Sequence, residues 1–309
     1  MRIVIVGLGG VGGYFGGKLA RRYGPGEGHE VLFFCRGRHL EAISRHGLKV
    51  MAVDEEFTAV PAAATDRAED LGQVDLVLFC VKGYDLEEVA ATVAVNVHAG
   101  TVVLPLLNGV DAAGTLRSVI GRGMVLGGCV YISSHIEAPG VVQQTGGPRT
   151  LFFGPETGDV ASYRHIESLL KDAGIKAELT GDIALELWTK YIFVGPFSGV
   201  SSLLGKTFGA ILEDAQDRGM LEGMMGEVEA IARKRGIALP EDIVARSVEK
   251  GAGFPYDTKS SMQLDFEKGR RVELELFVGY VVRSGGELGV PTPLHERVYR
   301  DLAAGLAGP

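Results

Sequence analysis

The residues with types and spacing suited to chemistry fall into three groups in this chain of 309 residues. The first is Gly7-Leu8-Gly9-Gly10-Val11-Gly12, which fits G-x-G-x-x-G. Gly7 lets the chain turn tightly, Gly9 lets the backbone approach a pyrophosphate, and Gly12 lets a helix and a strand pack closely. Free N–H groups at the start of a following helix would face the phosphates. The bland alternative is a Gly-rich structural turn. The second group is Lys190, in LELWTKYIFVG, and Glu273, in VELELFVGYVV, where it shares a helix face with Phe277 and Tyr280. An unpaired charge in such apolar surroundings is costly. A Lys–Glu pair resolves that cost and suits catalysis, because the ammonium can hold a substrate carbonyl oxygen and protonate it as hydride reaches the carbon. Taken singly, each also reads as a snorkelling side chain at a helix edge.

The third group lies where strands are expected to end. Glu30 to Cys35 reads as a second strand and runs into Cys35-Arg36-Gly37-Arg38. An NAD-binding unit carries an acid near this place, for the ribose 2′-hydroxyl. Here two guanidinium groups replace it, and arginine binds a 2′-phosphate in a bidentate way. That favours NADP, with Arg36 as the first choice; Arg38 can also simply open the next helix, and both can be solvated loop residues. Lys82 follows the apolar run VDLVLFCV, and Asn108 follows TVVLPLL. Ligands of open α/β sheets bind at the C-terminal strand edge, so both are candidates for the cofactor site. Alone, each reads as a surface lysine or an ordinary Asn-Gly turn.

The elements that must position these groups follow from the pattern of apolar runs. Arg2 to Val6 suits a strand buried on both faces, directly before the glycine motif, and a helix follows from Val11 to about Arg22. Leu48 to Val60 adds small strands. From Met124 to Gly154, strand-like runs broken by Pro-Gly and Gly-Gly-Pro read as antiparallel hairpins appended to the parallel sheet. Val160 to Asp172 reads as a helix and Ile175 to Leu179 as a last strand. After Asp182, a plausible N-cap, strand signals nearly vanish. Ile183 to Leu204 is a long apolar helix in which Pro196 is expected to kink or interrupt the chain. Further helices are expected over Ala215–Arg235, Pro240–Lys250, Lys259–Lys268, Arg271–Gly285 and Pro293–Ala304. The fold class is therefore α/β: an N-terminal Rossmann-like parallel sheet with appended antiparallel strands over residues 1–181, then an all-α C-terminal domain over 182–309.

Composition removes several function classes. The net charge of −8 argues against a general nucleic-acid or membrane-surface role. Hydrophobic residues make up 46% and mean hydropathy is +0.17, yet no uninterrupted apolar run is long enough to span a bilayer. The apolar start has a strand's layout rather than a signal peptide's. Cys35, Cys80 and Cys129 sit in apolar runs without metal-ligand spacing, and the seven histidines are scattered, so no metal site is expected. A cytoplasmic protein acting on a small molecule fits these features, with a homodimer as a possible assembly.

With these residues in place the sequence resembles the ketopantoate reductase (2-dehydropantoate 2-reductase) family over essentially its whole length. The resemblance rests on G-L-G-G-V-G at 7–12, Lys82 after its strand, L-L-N-G at 106–109, Lys190 two residues after Trp188, and Ser260-Ser261-Met262-Gln263-Leu264-Asp265 at the family's spacing before Glu273. It implies a Rossmann domain carrying NADPH and a helical domain closing over ketopantoate. Lys190 would be the general acid, and Glu273 would orient the lysine and substrate. Asn108 would contact nicotinamide or substrate, and Ser261 would help bind the substrate carboxylate. The product would be pantoate, on the route to pantothenate and coenzyme A.

Two positions depart from the pattern. Family members commonly carry Asn four and eight residues after the lysine, where this chain has Val194 and Ser198. Val194 cannot bond a substrate hydroxyl, and Ser198 could do so only over a shorter reach. Losing such a partner can relax discrimination for a hydroxylated substrate. The competing readings are a related NADP-dependent hydroxyacid dehydrogenase acting on another branched 2-keto acid, and a nucleotide sensor without turnover.

Overall fold

The computed structural model describes residues 1–26 and 28–307. The chain divides into two compact units, Met1–Ile183 and Ala184 onward.

In the first unit, six strands form a parallel sheet: β1 (Arg2–Val6), β2 (Glu30–Phe34), β5 (Ala63–Thr65), β6 (Val74–Phe79), β7 (Val97–Pro105) and β8 (Met124–Val125). Their spatial order is β5-β2-β1-β6-β7-β8, and every neighbouring pair is parallel. This is the doubly wound order, with the chain reversing direction between β1 and β6. The apolar runs of β1 and β6 are fully buried because helices cover the sheet. The helices of this unit are α1 (Gly10–Arg22), α2 (Gly37–His46), α3 (Leu86–Val93), α4 (Ala112–Ile120) and α5 (Arg164–Asp172).

The remaining strands build a second, mixed sheet of order β11-β10-β3-β4, with β9 paired to β10. Here β3 is Leu48–Met51, β4 Glu56–Ala59, β9 Gly127–Ala138, β10 Val141–Gly154 and β11 Lys176–Leu179. The 127–154 stretch is the expected antiparallel hairpin, but β10 also runs parallel to β3 at one end and to β11 at the other. This second sheet packs on α1. A β-carbon on Gly16 would press on Ile5 and Phe33 of the first sheet, whereas one on Gly13 would overlap Val142, and one on Gly17 would approach Val50 of the second. Helix α1 is thus wedged between two sheets, and its small residues let both approach its backbone.

The second unit is helical among the described residues: α6 (Ile183–Leu204, entering from the first unit), α7 (Phe208–Glu213), α8 (Ala215–Lys234), α9 (Ile243–Ala252), α10 (Ser261–Glu267), α11 (Tyr280–Leu288) and α12 (Pro293–Ala307). Helix α6 is its core. Gly199 meets Met224 of α8, Val278 and Val298 of α12, and Phe197 packs on Gly251 of α9. A helix surrounded by others is apolar on most sides. Helix α6 runs through Pro196, so the proline does not interrupt it. Packing on several sides offsets the one backbone bond that proline removes. The helix expected over 271–285 differs: residues Glu275–Gly279 form a π-helical turn leading into α11.

Candidate active site

The glycine motif lies between β1 and α1. Gly7 has φ of +90°, and its amide donates to the Phe34 carbonyl at 2.9 Å. A side chain on Gly12 would overlap the Gly7 carbonyl, and one on Gly10 would overlap the Ser134 carbonyl of β9. Gly9 is different. Its backbone is extended, at φ −67° and ψ −164°, and nothing lies within 4 Å of where its β-carbon would stand. Neither conformation nor packing within the protein requires glycine there. Open space over a bare backbone is what a pyrophosphate needs. The start of α1 has no side-chain cap and no acid in its first turn, so its N–H groups and the positive end of its dipole suit an anion. Leu8 is buried and Val11 partly so, anchoring the loop. The residues present fit a dinucleotide.

The other candidates of this unit stand at the C-terminal ends of neighbouring parallel strands. Arg36 is the N-cap residue of α2 just beyond β2, with its side chain 75% exposed and Nη2 3.4 Å from Asp85 Oδ2. Arg38 is exposed in the first turn of α2. Lys82, half-buried, precedes a short 3₁₀ turn after β6, and Asn108, half-buried, precedes Gly109 after β7. The strand order brings the ends of β2, β1, β6 and β7 side by side, so these residues share one edge of the sheet. The three cysteines carry no disulfide; burial pushes the Cys35 thiol up to about 12 and leaves it inert. No group of side chains suited to a metal ion occurs among the described residues.

In the second unit, Lys190 is half-buried on α6 and Glu273 is buried, 5% exposed, just before the π turn. Tyr191 ties these segments together. Its hydroxyl donates to the carbonyls of Leu276 at 2.8 Å and Phe277 at 3.2 Å. Its ring packs edge-on against Trp188 and Tyr280. The Phe277 amide in turn donates to the Glu273 carbonyl at 3.1 Å. The helix turn bearing Lys190 is therefore fixed against the turn that follows Glu273. Both carbonyls belong to the π turn, and Tyr191 shares its single hydroxyl proton between them. In the sequence Tyr191 is one of several aromatics beside Lys190; a phenol in a buried helix needs a partner for its hydroxyl, and that is the signal of its role.

The family model for ketopantoate reductase PanE/ApbA matches residues 3–158, and that for the family's C-terminal part matches residues 182–305. The chain belongs to the ketopantoate reductase family. A 2-dehydropantoate 2-reductase of Mesorhizobium japonicum is 32% identical over 320 residues, covering 96% of this chain and 95% of its own. The uncharacterized oxidoreductase YkpB of Bacillus subtilis is 29% identical over 305 residues, 98% of each chain. The crystal structure of a PanE/ApbA family ketopantoate reductase from Ralstonia eutropha has a TM-score of 0.88 at 30% identity, covering 97% of this chain and 96% of that one. The protein is accordingly an oxidoreductase enzyme. No described helix is long and apolar enough to cross a membrane.

In this ketopantoate reductase family member, the α6 face beyond Lys190 holds Val194, half-buried, and Ser198, 3% exposed. Farther along, Ser201 Oγ lies 2.9 Å from Ser260 Oγ, a buried pair that sequence reading did not anticipate. Ser260 also caps α10 by accepting the Gln263 amide at 3.1 Å. Ser261, the next residue, is exposed at the start of α10.

Proposed function

We propose that this enzyme reduces a 2-keto acid to a 2-hydroxy acid with NADPH, and that the substrate is ketopantoate, giving pantoate for pantothenate and coenzyme A synthesis. The observation that carries the reading is the setting of Lys190. It is a half-buried lysine fixed, through Tyr191, to the turn that follows the buried Glu273, in a chain 32% identical to a 2-dehydropantoate 2-reductase.

In this reading residues 1–181 bind the dinucleotide. The amides at the start of α1 hold the pyrophosphate above Gly9. Arg36 meets the 2′-phosphate, exchanging its weak exposed pair with Asp85 for a dianion. Lys82 and Asn108 complete the edge nearest the nicotinamide. Residues 182–309 bind the keto acid. When bound, NADPH supplies the hydride that reaches the substrate's carbonyl carbon. Lys190 Nζ hydrogen-bonds the carbonyl oxygen and gives it a proton as negative charge develops there. Glu273 holds the ammonium in line, and Ser261 accepts a place beside the substrate carboxylate. The lysine is re-protonated from solvent after product leaves.

Steady-state rates with NADPH on ketopantoate and on other branched 2-keto acids test the reading. Highest kcat/KM on ketopantoate supports it, and no turnover of any 2-keto acid overturns it. Val194 favours a second reading, a branched 2-keto acid lacking the hydroxyl. On that reading the deoxy analogue of ketopantoate is used at least as well, and Val194→Asn shifts the ratio toward ketopantoate by about 1 kcal/mol, the scale of one hydrogen bond.

A further inference from the structure

His39 is the third residue of α2, three positions after Arg36. Its Nδ1 accepts the backbone N–H of Gly140 at 3.0 Å. An amide nitrogen can only donate, so Nδ1 carries the lone pair and the neutral ring bears its proton on Nε2. Burial disfavours the charged form of this ring, which keeps it in the neutral tautomer. The Gly140 side of the link is rigid. The Gly140 carbonyl accepts from Lys49 of β3 at 2.9 Å, and the turn packs directly against Ala42 of α2.

The other ring nitrogen is the unusual one. Nε2 is buried and has no formed hydrogen bond among the described residues. The backbone of Leu8, in the glycine motif, lies near this ring and favours its proton, yet no hydrogen bond to Nε2 is formed. A buried donor left unsatisfied is costly, so a state in which the bond closes is favoured. The Leu8 carbonyl and the Gly9 N–H belong to one planar, trans peptide group and point in opposite directions. Whatever draws the carbonyl toward His39 turns the Gly9 N–H the other way, and no protein atom lies within 4 Å of where a Gly9 side chain would stand.

We propose that His39 is a positioning residue for dinucleotide binding: anchored by Gly140 through Nδ1, it holds the Leu8–Gly9 peptide through Nε2–H, so that the Gly9 amide is aimed at the pyrophosphate. The inference rests on the dinucleotide reading given above. His39 makes no contact with the ligand itself. Its bond to Leu8 closes when the loop takes up the phosphates, and the ring links the glycine loop to the helix whose N-cap residue is Arg36.

Two measurements on the full chain test this. The first is NADPH affinity, followed by nicotinamide fluorescence, for the wild type and three variants. His39→Ala should weaken binding about fivefold, the worth of one neutral hydrogen bond, with the loss in the KM for NADPH rather than in kcat. His39→Gln, whose amide reaches the old Nε2 position, should recover part of the affinity. His39→Asn, which can replace only the acceptor for Gly140, should recover thermal stability without affinity. The second is ¹⁵N–¹H correlation of the histidine rings in the wild type, which does not depend on any variant folding. It should show the Nε2–H tautomer in free protein and a downfield shift of that proton on adding NADPH. An Nδ1–H tautomer, an unmoved proton, or His39→Ala binding within twofold of wild type overturns the proposal. Wild type that binds neither NADPH nor NADH overturns this proposal and the dinucleotide reading together, whereas tight wild-type binding with an indifferent His39→Ala overturns this one alone.

Discussion

The carbonyl oxygen of Gly7 fills the space into which a side chain on Gly12 would project. The two glycines are therefore a packing pair of the protein, while Gly9 between them faces open space. Their substitutions should separate. Gly12→Ala forces strand and helix apart and should cost about 3 kcal/mol or more, read by denaturant unfolding, at the upper end for overpacking. Gly9→Ala should leave stability within about 1 kcal/mol, since its backbone is one alanine adopts, yet weaken NADPH binding at least about tenfold by standing where the pyrophosphate goes. Equal loss of stability in both would mean that Gly9 is structural too.

Lys190→Ala should lower kcat by about a hundredfold or more, the usual span for losing a positioned acid. NADPH affinity, measured by fluorescence titration, should change by no more than about threefold, because the glycine loop and Arg36 lie in the other unit. A variant within a few-fold of wild-type turnover would remove Lys190 from the chemistry.

Arg36 is exposed and loosely paired to Asp85 at 3.4 Å, so little holds it back from a phosphate. The wild type should prefer NADPH to NADH in kcat/KM. Arg36→Ala should reduce that preference by about tenfold, the loss of a charge-assisted pair, mostly through the KM for NADPH. Arg38→Ala should have the smaller effect. Equal efficiency with both cofactors in the wild type would show that the arginine does not read the 2′-phosphate.

His295 is wholly buried, with Nδ1 2.6 Å from Glu227 Oε2, and the same carboxylate accepts the amides of Leu294 and His295 at the start of α12. Burial lowers its affinity for a proton despite the carboxylate, and burial likewise lowers His29 and His39. A histidine lowered in the folded state is penalised once protonated. Stability is therefore full above the ordinary histidine value of 6.5 and falls as pH drops below it, levelling off beneath the folded values. The lowered carboxylates, such as Asp54, Asp159 and Glu167, lose their contribution only at more acidic pH. Urea midpoints measured between about pH 7.5 and pH 5 should fall steadily toward the acid side. A flat profile over that window would show that these rings titrate normally.

Much of this was legible in the chain. The uniform apolar runs of β1 and β6 announced strands covered on both faces, and the glycine motif between a strand and a helix announced the loop. What escaped depended on partners remote in sequence. The glycines of α1 beyond the motif answer to Val142 and Val50 of the second sheet, which no local pattern reveals. Strand β5 is three residues, Ala-Ala-Thr, made a strand by pairing with β2 rather than by its own propensity. Pro196 does not break α6 because its cost is local, whereas the packing that outweighs it comes from several other helices. Ser201 and Ser260 are 59 positions apart and meet only once α6 and α10 are folded.

The π turn at Glu275–Gly279 has the arithmetic of a one-residue insertion. Deleting a residue there would restore a regular α-helix, and for an exposed helix that would be a mild repair. Here it would turn everything on its N-terminal side by about 100° relative to Tyr280, because each residue of an α-helix advances the screw by that angle. Glu273 would leave its buried seat, and the Leu276 and Phe277 carbonyls would lose their place beside Tyr191. Across descendants of this chain, substitutions should be tolerated within the turn far more readily than a change in its length.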